Sequence, residues 1–332
     1  MTSPSASPTR IGIVGHGNLG RGVEIAVAHN PDLRTVGIYT RREPASLQPQ
    51  VAGTPVHAMA DLAGHAGQID VLVLCGGSKD DLPVQSPELA ARFCIVDSFD
   101  THARIPEHFA AVDAAARAGQ TTALISAGWD PGLFSINRVM GEALLPDGQT
   151  DTFWGKGVSQ GHSDALRRVP GVAGAVQYTV PVEAAMQQVR SGTRPSLSTR
   201  QKHTRECYVV LKEGADAQAV RQAIVTMPNY FADYDTTVHF VDAETLAREH
   251  AAMPHGGFVI RSGNTAPAHG HVIEYRLQLG SNPEFTSSVL VAYARAVHRL
   301  HQSGHHGAVT VLDVPPALLS PRSAEDLRRL YL

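Results

Sequence analysis

At 332 residues the chain is long enough for two domains, each with its own core, and 43% hydrophobic with 18% charged residues is ordinary for a globular protein. A net charge of −3, from 28 basic and 31 acidic residues, gives no global field for a nucleic-acid partner. Cys75, Cys94 and Cys207 lack paired spacing, and no apolar run reaches the roughly eighteen residues of a spanning helix, so a disulfide scaffold, a cysteine zinc site and a membrane span are not expected and a reducing cytoplasm is.

Residues 1–9, MTSPSASPT, are polar and read as a disordered lead. The run Ile11–Val14 reads as a short apolar strand that turns at Gly15 and enters a helix near Gly17. Gly15, Gly17 and Gly20 fit G-x-G-x-x-G. The first allows a tight turn, the second lets backbone approach a pyrophosphate, and the third lets helix pack on strand. The anion then sits on the helix N-terminus formed by Asn18 and Leu19, where unpaired N–H groups point at it. A second strand, Thr35–Tyr39, follows at βαβ spacing. At its end, where an NAD enzyme places a carboxylate for the ribose hydroxyls, stand Thr40, Arg41 and Arg42. Two guanidiniums and a hydroxyl suit a 2′-phosphate, so NADP is favoured over NAD; a solvated arginine pair is the plainer alternative.

Residues 43–53 read as loop and Asp61–Gly67 as a short helix. Asp70–Leu74 is a continuous apolar run of the kind a parallel strand buried on both faces shows. It ends in Cys75, Gly76, Gly77 and Ser78, a small-residue loop suited to wall the nicotinamide side of the cofactor or simply to turn. Glu88–Phe93 reads as helix, residues 94–96 as strand, Pro106–Gly119 as an alanine-rich helix and Thr122–Ser126 as the last strand of the run. Asp100 and Asp130 then stand at the C-terminal ends of parallel strands, poised beside the nicotinamide; for Asp130, ahead of Pro131, a helix N-cap is a serious rival.

Leu133–Leu145 reads as a helix leaving the nucleotide domain, followed by a polar glycine-rich block over 155–164. Val176–Val180, Glu206–Leu211, Thr237–Val241, Gly257–Arg261 and His271–Leu279 have strand patterns, and Pro181–Ser191 and Asp216–Val225 helical ones, giving an α/β domain with a mixed or antiparallel sheet. Phe285–His301 reads as a long amphipathic helix, Val309–Val311 as a return to the first domain and the end as a closing helix capped by Ser323.

The blocks GHGNLGR (15–21), GIYTRR (37–42), SAGWDPGLFSINR (126–138), TFWGKGVSQGHSDALRRVPGV (152–172), AVQYTVP (175–181), MPHGG (253–257) and SNPEFT (281–286) resemble the meso-diaminopimelate dehydrogenase family over nearly the whole chain. The resemblance implies NADP-dependent, reversible oxidative deamination at the D-centre of meso-2,6-diaminopimelate, releasing ammonia, by a homo-oligomer that is usually a dimer. It implies a Rossmann-type dinucleotide-binding domain over 1–130, joined by 305–332. A second α/β domain over 131–304 then carries a mixed sheet for substrate binding and oligomerisation. It places Asp100 and Asp130, with Trp129 beside them, at the D-amino end. Trp154 walls the substrate, and Thr179, Arg205, His255 and Asn282 bind the distal L-amino-acid end. A substrate with two ammonium and two carboxylate groups needs both anionic partners and a cationic fork, which Arg205 supplies. The sequence departs from the family in an expanded 42–56 loop, in Thr40 where serine is common, and in His16 between the first two glycines, where an aromatic residue is often found and the pyrophosphate is expected nearby. The rivals are a dihydrodipicolinate reductase-like enzyme, an aspartate-semialdehyde-type enzyme that would need Cys207 as nucleophile, and a non-catalytic NADP-binding regulator.

Overall fold

The structure, a computed structural model, describes residues 7–332. Of the polar lead, residues 1–6 lie outside the described residues, and Thr9 already opens the first strand. The chain divides into two compact units, residues 1–136 with 283–332 and residues 137–282.

In the first unit, β1 (Thr9–Val14), α1 (Asn18–Ala28), β2 (Leu33–Thr40), β3 (Val56–Ala58), β4 (Val71–Leu74), α2 (Leu82–Ala90), β5 (Ile95–Asp97), α3 (Ile105–Gly119) and β6 (Thr122–Leu124) alternate along the chain. With β14 (Gly307–Val309) the strands form one parallel sheet in the order β14-β6-β5-β4-β1-β2-β3, the doubly wound Rossmann arrangement. β1 and β4 are buried along the middle of the sheet, which is why they read as unbroken apolar runs. The expected helix over 61–67 is a 3₁₀ segment, Met59–Gln68, and α2 begins six residues before the expected Glu88.

α4 (Leu133–Leu144) carries the chain into the second unit. There β8 (Gly157–Val158), β9 (Val172–Pro181), β10 (His203–Leu211) and β11 (Asp235–Phe240) form a mixed sheet in which only β10 and β11 run parallel. β7 (Asp147–Trp154), β12 (His255–Ala266) and β13 (His269–Leu279) form a separate antiparallel sheet. Helices α5 (Gln160–Arg167), α6 (Glu183–Arg190), α7 (Thr199–Lys202), α8 (Ala217–Val225) and α9 (Ala243–Glu249) fill the connections. The glycine-rich block of residues 155–164 is therefore not a loop: it holds a short strand and the start of a helix.

The expected second domain, 131–304, takes in one element too many. α10 (Asn282–Gln302) buries Leu290, Val291, Tyr293, Ala294 and Val297 in the same core as Ile11, Val23 and Val27, so from Pro283 the chain belongs to the first unit. Two contacts fix it there: Ser287 Oγ donates to the Leu19 carbonyl at 2.8 Å, and the buried Arg295 guanidinium grips Asp32. The closing helix α11 (Ala324–Tyr331) is capped by Ser323 as its sequence predicts.

Candidate active site

The glycine turn is built by backbone needs. Gly15 has φ +88° and donates its N–H to the Tyr39 carbonyl at 2.9 Å, tying the turn to the end of β2. A Cβ on Gly20 would lie 2.1 Å from the Gly15 carbonyl oxygen, so only glycine lets α1 start so close to the strand. A Cβ on Gly17 would meet nothing within 4 Å, so this glycine is not required by packing within the chain. No side chain caps α1 and its first turn has no carboxylate, which leaves the helix N-terminus formed by Asn18 and Leu19 suited to an anion.

Beside it, Thr40 Oγ1 is buried and accepts from the Arg42 N–H at 3.1 Å, and Arg42 Nη2 donates to the His16 carbonyl at 2.8 Å. Arg41 is instead paired with Asp81 at 2.7 Å. Asp81 also accepts the Gly77 N–H at 3.0 Å, and these partners hold its carboxyl below the usual range. Thus the end of β2 is fastened to the loop of Cys75, Gly76, Gly77 and Ser78 after β4. The Cys75 thiol is pushed well above its ordinary pKa by burial, so it lines this loop as an uncharged group. The His16 ring turns inward, 6% exposed, and bonds Glu24 at 2.9 Å.

Asp100 and Asp130 follow β5 and β6, which are neighbours in the sheet. Asp100 is exposed and donates its backbone N–H to Ser78 Oγ at 3.1 Å; Asp130 is half-buried behind the buried Trp129. α4 begins at Leu133, so Asp130 stands three residues ahead of its first residue rather than directly before it. A residue not singled out in the sequence holds both loops. Asp97, fully buried, accepts from Ser86 Oγ at 2.6 Å, His108 Nε2 at 2.7 Å, the Phe99 N–H at 3.1 Å and the Ser126 N–H at 2.8 Å. One carboxylate therefore sets the first residues of the Asp100 loop and of the Asp130 loop.

In the second unit, Thr179 and Arg205 are directly opposed on β9 and β10, and Arg205 Nη1 donates to Thr179 Oγ1. Arg205 is 6% exposed, its guanidinium lies 3.8 Å from the Tyr234 ring centroid, its Nε has no partner and no carboxylate pairs with it among the described residues. A buried guanidinium left without an anion is costly, so this one is suited to receive a carboxylate. Gly157 pairs with Thr179, and a Cβ there would lie 2.4 Å from the His255 ring, so glycine on β8 seats that imidazole beside Thr179. His255 Nδ1 lies 2.8 Å from the Gly256 N–H and 3.1 Å from the Gly256 carbonyl oxygen, contacts that fix the orientation of the ring. Asn282 is tied in through its N–H to the Met253 carbonyl at 2.9 Å. Trp154, 38% exposed, stacks on His203 and donates its N–H to His203 Nε2 at 2.8 Å. Burial and the nearby Arg205 lower His203 and His162 to about 4 each, so both are neutral. His203, Asp97 and Asp81 gave no signal in sequence beyond a polar residue next to an apolar run.

A parallel doubly wound sheet, a glycine turn against an uncapped helix and a polar group on a second unit define a two-domain oxidoreductase that uses a nicotinamide dinucleotide. Residues 128–281 match the family described as Diaminopimelic acid dehydrogenase C-terminal domain. The chain is 58% identical to the meso-diaminopimelate D-dehydrogenase of Ureibacillus thermosphaericus over 98% of its own length and 100% of the relative's. It is similar to the Corynebacterium glutamicum DAP dehydrogenase solved in complex with DAP (47% identity, TM-score 0.91, covering 98% of this chain and 100% of that one). It is also similar to an engineered D-amino acid dehydrogenase bound to NADP+ (46% identity, TM-score 0.85, 98% and 100% covered). The chain belongs to the meso-diaminopimelate D-dehydrogenase family.

Proposed function

We propose that the protein catalyses NADP-dependent, reversible oxidative deamination of meso-2,6-diaminopimelate at its D-centre, giving L-2-amino-6-oxopimelate, ammonia and NADPH. Family membership across the full length supports the reaction, and the buried, anion-free Arg205 is the observation that supports the dicarboxylate substrate. Gly15, Gly17, Asn18, Leu19 and Gly20 receive the pyrophosphate, Thr40, Arg41 and Arg42 form the 2′-phosphate corner, and residues 75–78 wall the nicotinamide. NADP, when bound, supplies the hydride acceptor. Asp100 and Asp130 orient the D-amino group, and one of them, or a water they hold, takes its proton so that the lone pair can form the C=N bond. Water then adds to the imine and ammonia leaves. Thr179, Arg205, His255 and Asn282 hold the L-amino-acid end, with Trp154 as a wall, and we read the working form as a cytoplasmic homodimer.

The aspartate-semialdehyde alternative is disfavoured by Cys207, which is fully buried and whose thiol is pushed up to about 12 by that burial. The test is absorbance at 340 nm when NADP and meso-diaminopimelate are mixed with the protein. The meso isomer is expected to raise absorbance and the LL isomer to leave it unchanged. Arg205→Ala is expected to raise KM for diaminopimelate about tenfold or more, for the loss of one charge-assisted bond, and to leave NADP binding within about twofold. Loss of NADP binding with an unchanged KM for substrate rejects the role given to Arg205.

A further inference from the structure

Glu24 is a carboxylate on α1 with no exposure at all, and the reaction does not use it. Burying a charge there is expensive unless its partners hold it well. Three donors do: His16 Nε2 and the N–H groups of Gln50 and Val51, each at 2.9 Å. These partners are not scattered. His16 is the middle residue of the glycine turn, and Gln50 and Val51 close the expanded loop that starts after Arg42. Arg42 meets the first of them: its main-chain N–H bonds Thr40 Oγ1 and its Nη2 the His16 carbonyl. Among the described residues its Nε and Nη1 make no bond, and the side chain is exposed. Arg41, by contrast, already has Asp81.

We infer that Glu24 is a positioning residue for cofactor choice: by tying the His16 turn to the Gln50–Val51 loop, it holds the carbonyl that Arg42 bonds and so aims that guanidinium at the 2′-phosphate that separates NADP from NAD. The inference rests on the reading of Arg42 as a phosphate ligand. It also ranks the pair: Arg42 is the principal contact, and Arg41 the secondary one because Asp81 competes for it. Burial alone would raise the Glu24 carboxyl, but its N–H donors from Gln50 and Val51 hold it below the ordinary value, so it stays an acceptor throughout the working pH range.

The test is calorimetric binding of 2′,5′-ADP and of AMP, which share adenosine 5′-phosphate and differ in the 2′-phosphate. Glu24→Gln keeps the side-chain volume but turns an amide toward backbone N–H groups, and Arg42→Ala removes the proposed ligand. Both variants are expected to weaken 2′,5′-ADP about tenfold, one charge-assisted contact, and to leave AMP within about twofold. His16→Phe, which keeps the carbonyl and removes one of the three donors, is expected to fall between, at about threefold. Unchanged AMP binding certifies that the glycine turn has folded. If Arg42→Ala weakens 2′,5′-ADP but neither Glu24→Gln nor His16→Phe does, the role of Glu24 is overturned and the corner stands. If Arg42→Ala leaves 2′,5′-ADP unchanged, the corner reading and the inference fall together. Equal weakening of both ligands by Glu24→Gln and by His16→Phe marks Glu24 as merely structural and also overturns the inference.

Discussion

His203 shows how a single side chain links stability to the site. Its unprotonated Nε2 accepts the Trp154 N–H, so protonation removes the bond that sets the Trp154 backbone. His162, whose Nδ1 lies 2.8 Å from Ser159 Oγ, is half-buried and also neutral. Both have folded values near 4 against 6.5 for an exposed imidazole. The unfolded chain therefore binds more protons between those values, and stability rises with pH across that window. The contribution is full above pH 6.5 and is lost as pH falls toward 4, on the order of 2–3 kcal/mol for each group. His250, His298 and His301 are also lowered by burial and add to the same slope. Thermal midpoints measured from pH 7 to pH 4.5 are expected to drop steeply in the wild type and less steeply in His203→Gln, whose amide oxygen can still accept from Trp154. Identical slopes in the two proteins would remove His203 from this account.

At the scale of elements, the helix pair α1 and α10 governs how the first unit closes. A Cβ on Gly22 would lie 2.4 Å from Ser287 Oγ and 3.0 Å from its Cβ, and Ser287 cannot swing away without giving up its bonds to the Leu19 and Pro283 carbonyls. Gly22→Ala is expected to cost roughly 1–3 kcal/mol by overpacking, despite alanine's better helix propensity. Adding Ser287→Ala should recover part of it, and a Gly22→Ala protein that melts with the wild type would show that the helices separate freely. This crossing also explains what could be read in advance. β1 and β4 were legible because strands buried on both faces must be apolar throughout, and Gly15 and Gly20 because only glycine meets their backbone demands. β7, with the sequence DGQTDTFW, and α5, with QGHSDALR, were not, because their few apolar residues show neither period. In the site, family blocks pointed to the side chains expected to meet ligand, whereas Glu24, Asp81 and Asp97 were silent. A charged residue on a helix or after a strand looks like surface until the fold supplies its buried donors, and those donors come from distant segments.

For the whole molecule, the open question is what covers the apolar surface of the second unit. Val139, Met140 and Leu144 on α4 are 50%, 52% and 59% exposed. On β13, an edge strand, Val272 and Ile273 are 43% and 37% exposed. Single exposed apolar residues need no explanation, but a cluster on one helix face and an uncovered strand edge are features that assembly buries. Both lie on residues 137–282, within the second unit. The expected result is a species of twice the 35.4 kDa chain mass by sedimentation velocity. The double variant Val139→Glu with Leu144→Glu should shift it toward the monomer, because like charges would be desolvated against an apolar partner. AMP binding should survive in that variant, since the glycine turn lies in the other unit. A wild-type protein that sediments as a monomer at micromolar concentration would refute the dimer, and a dimer indifferent to both substitutions would move the interface away from α4.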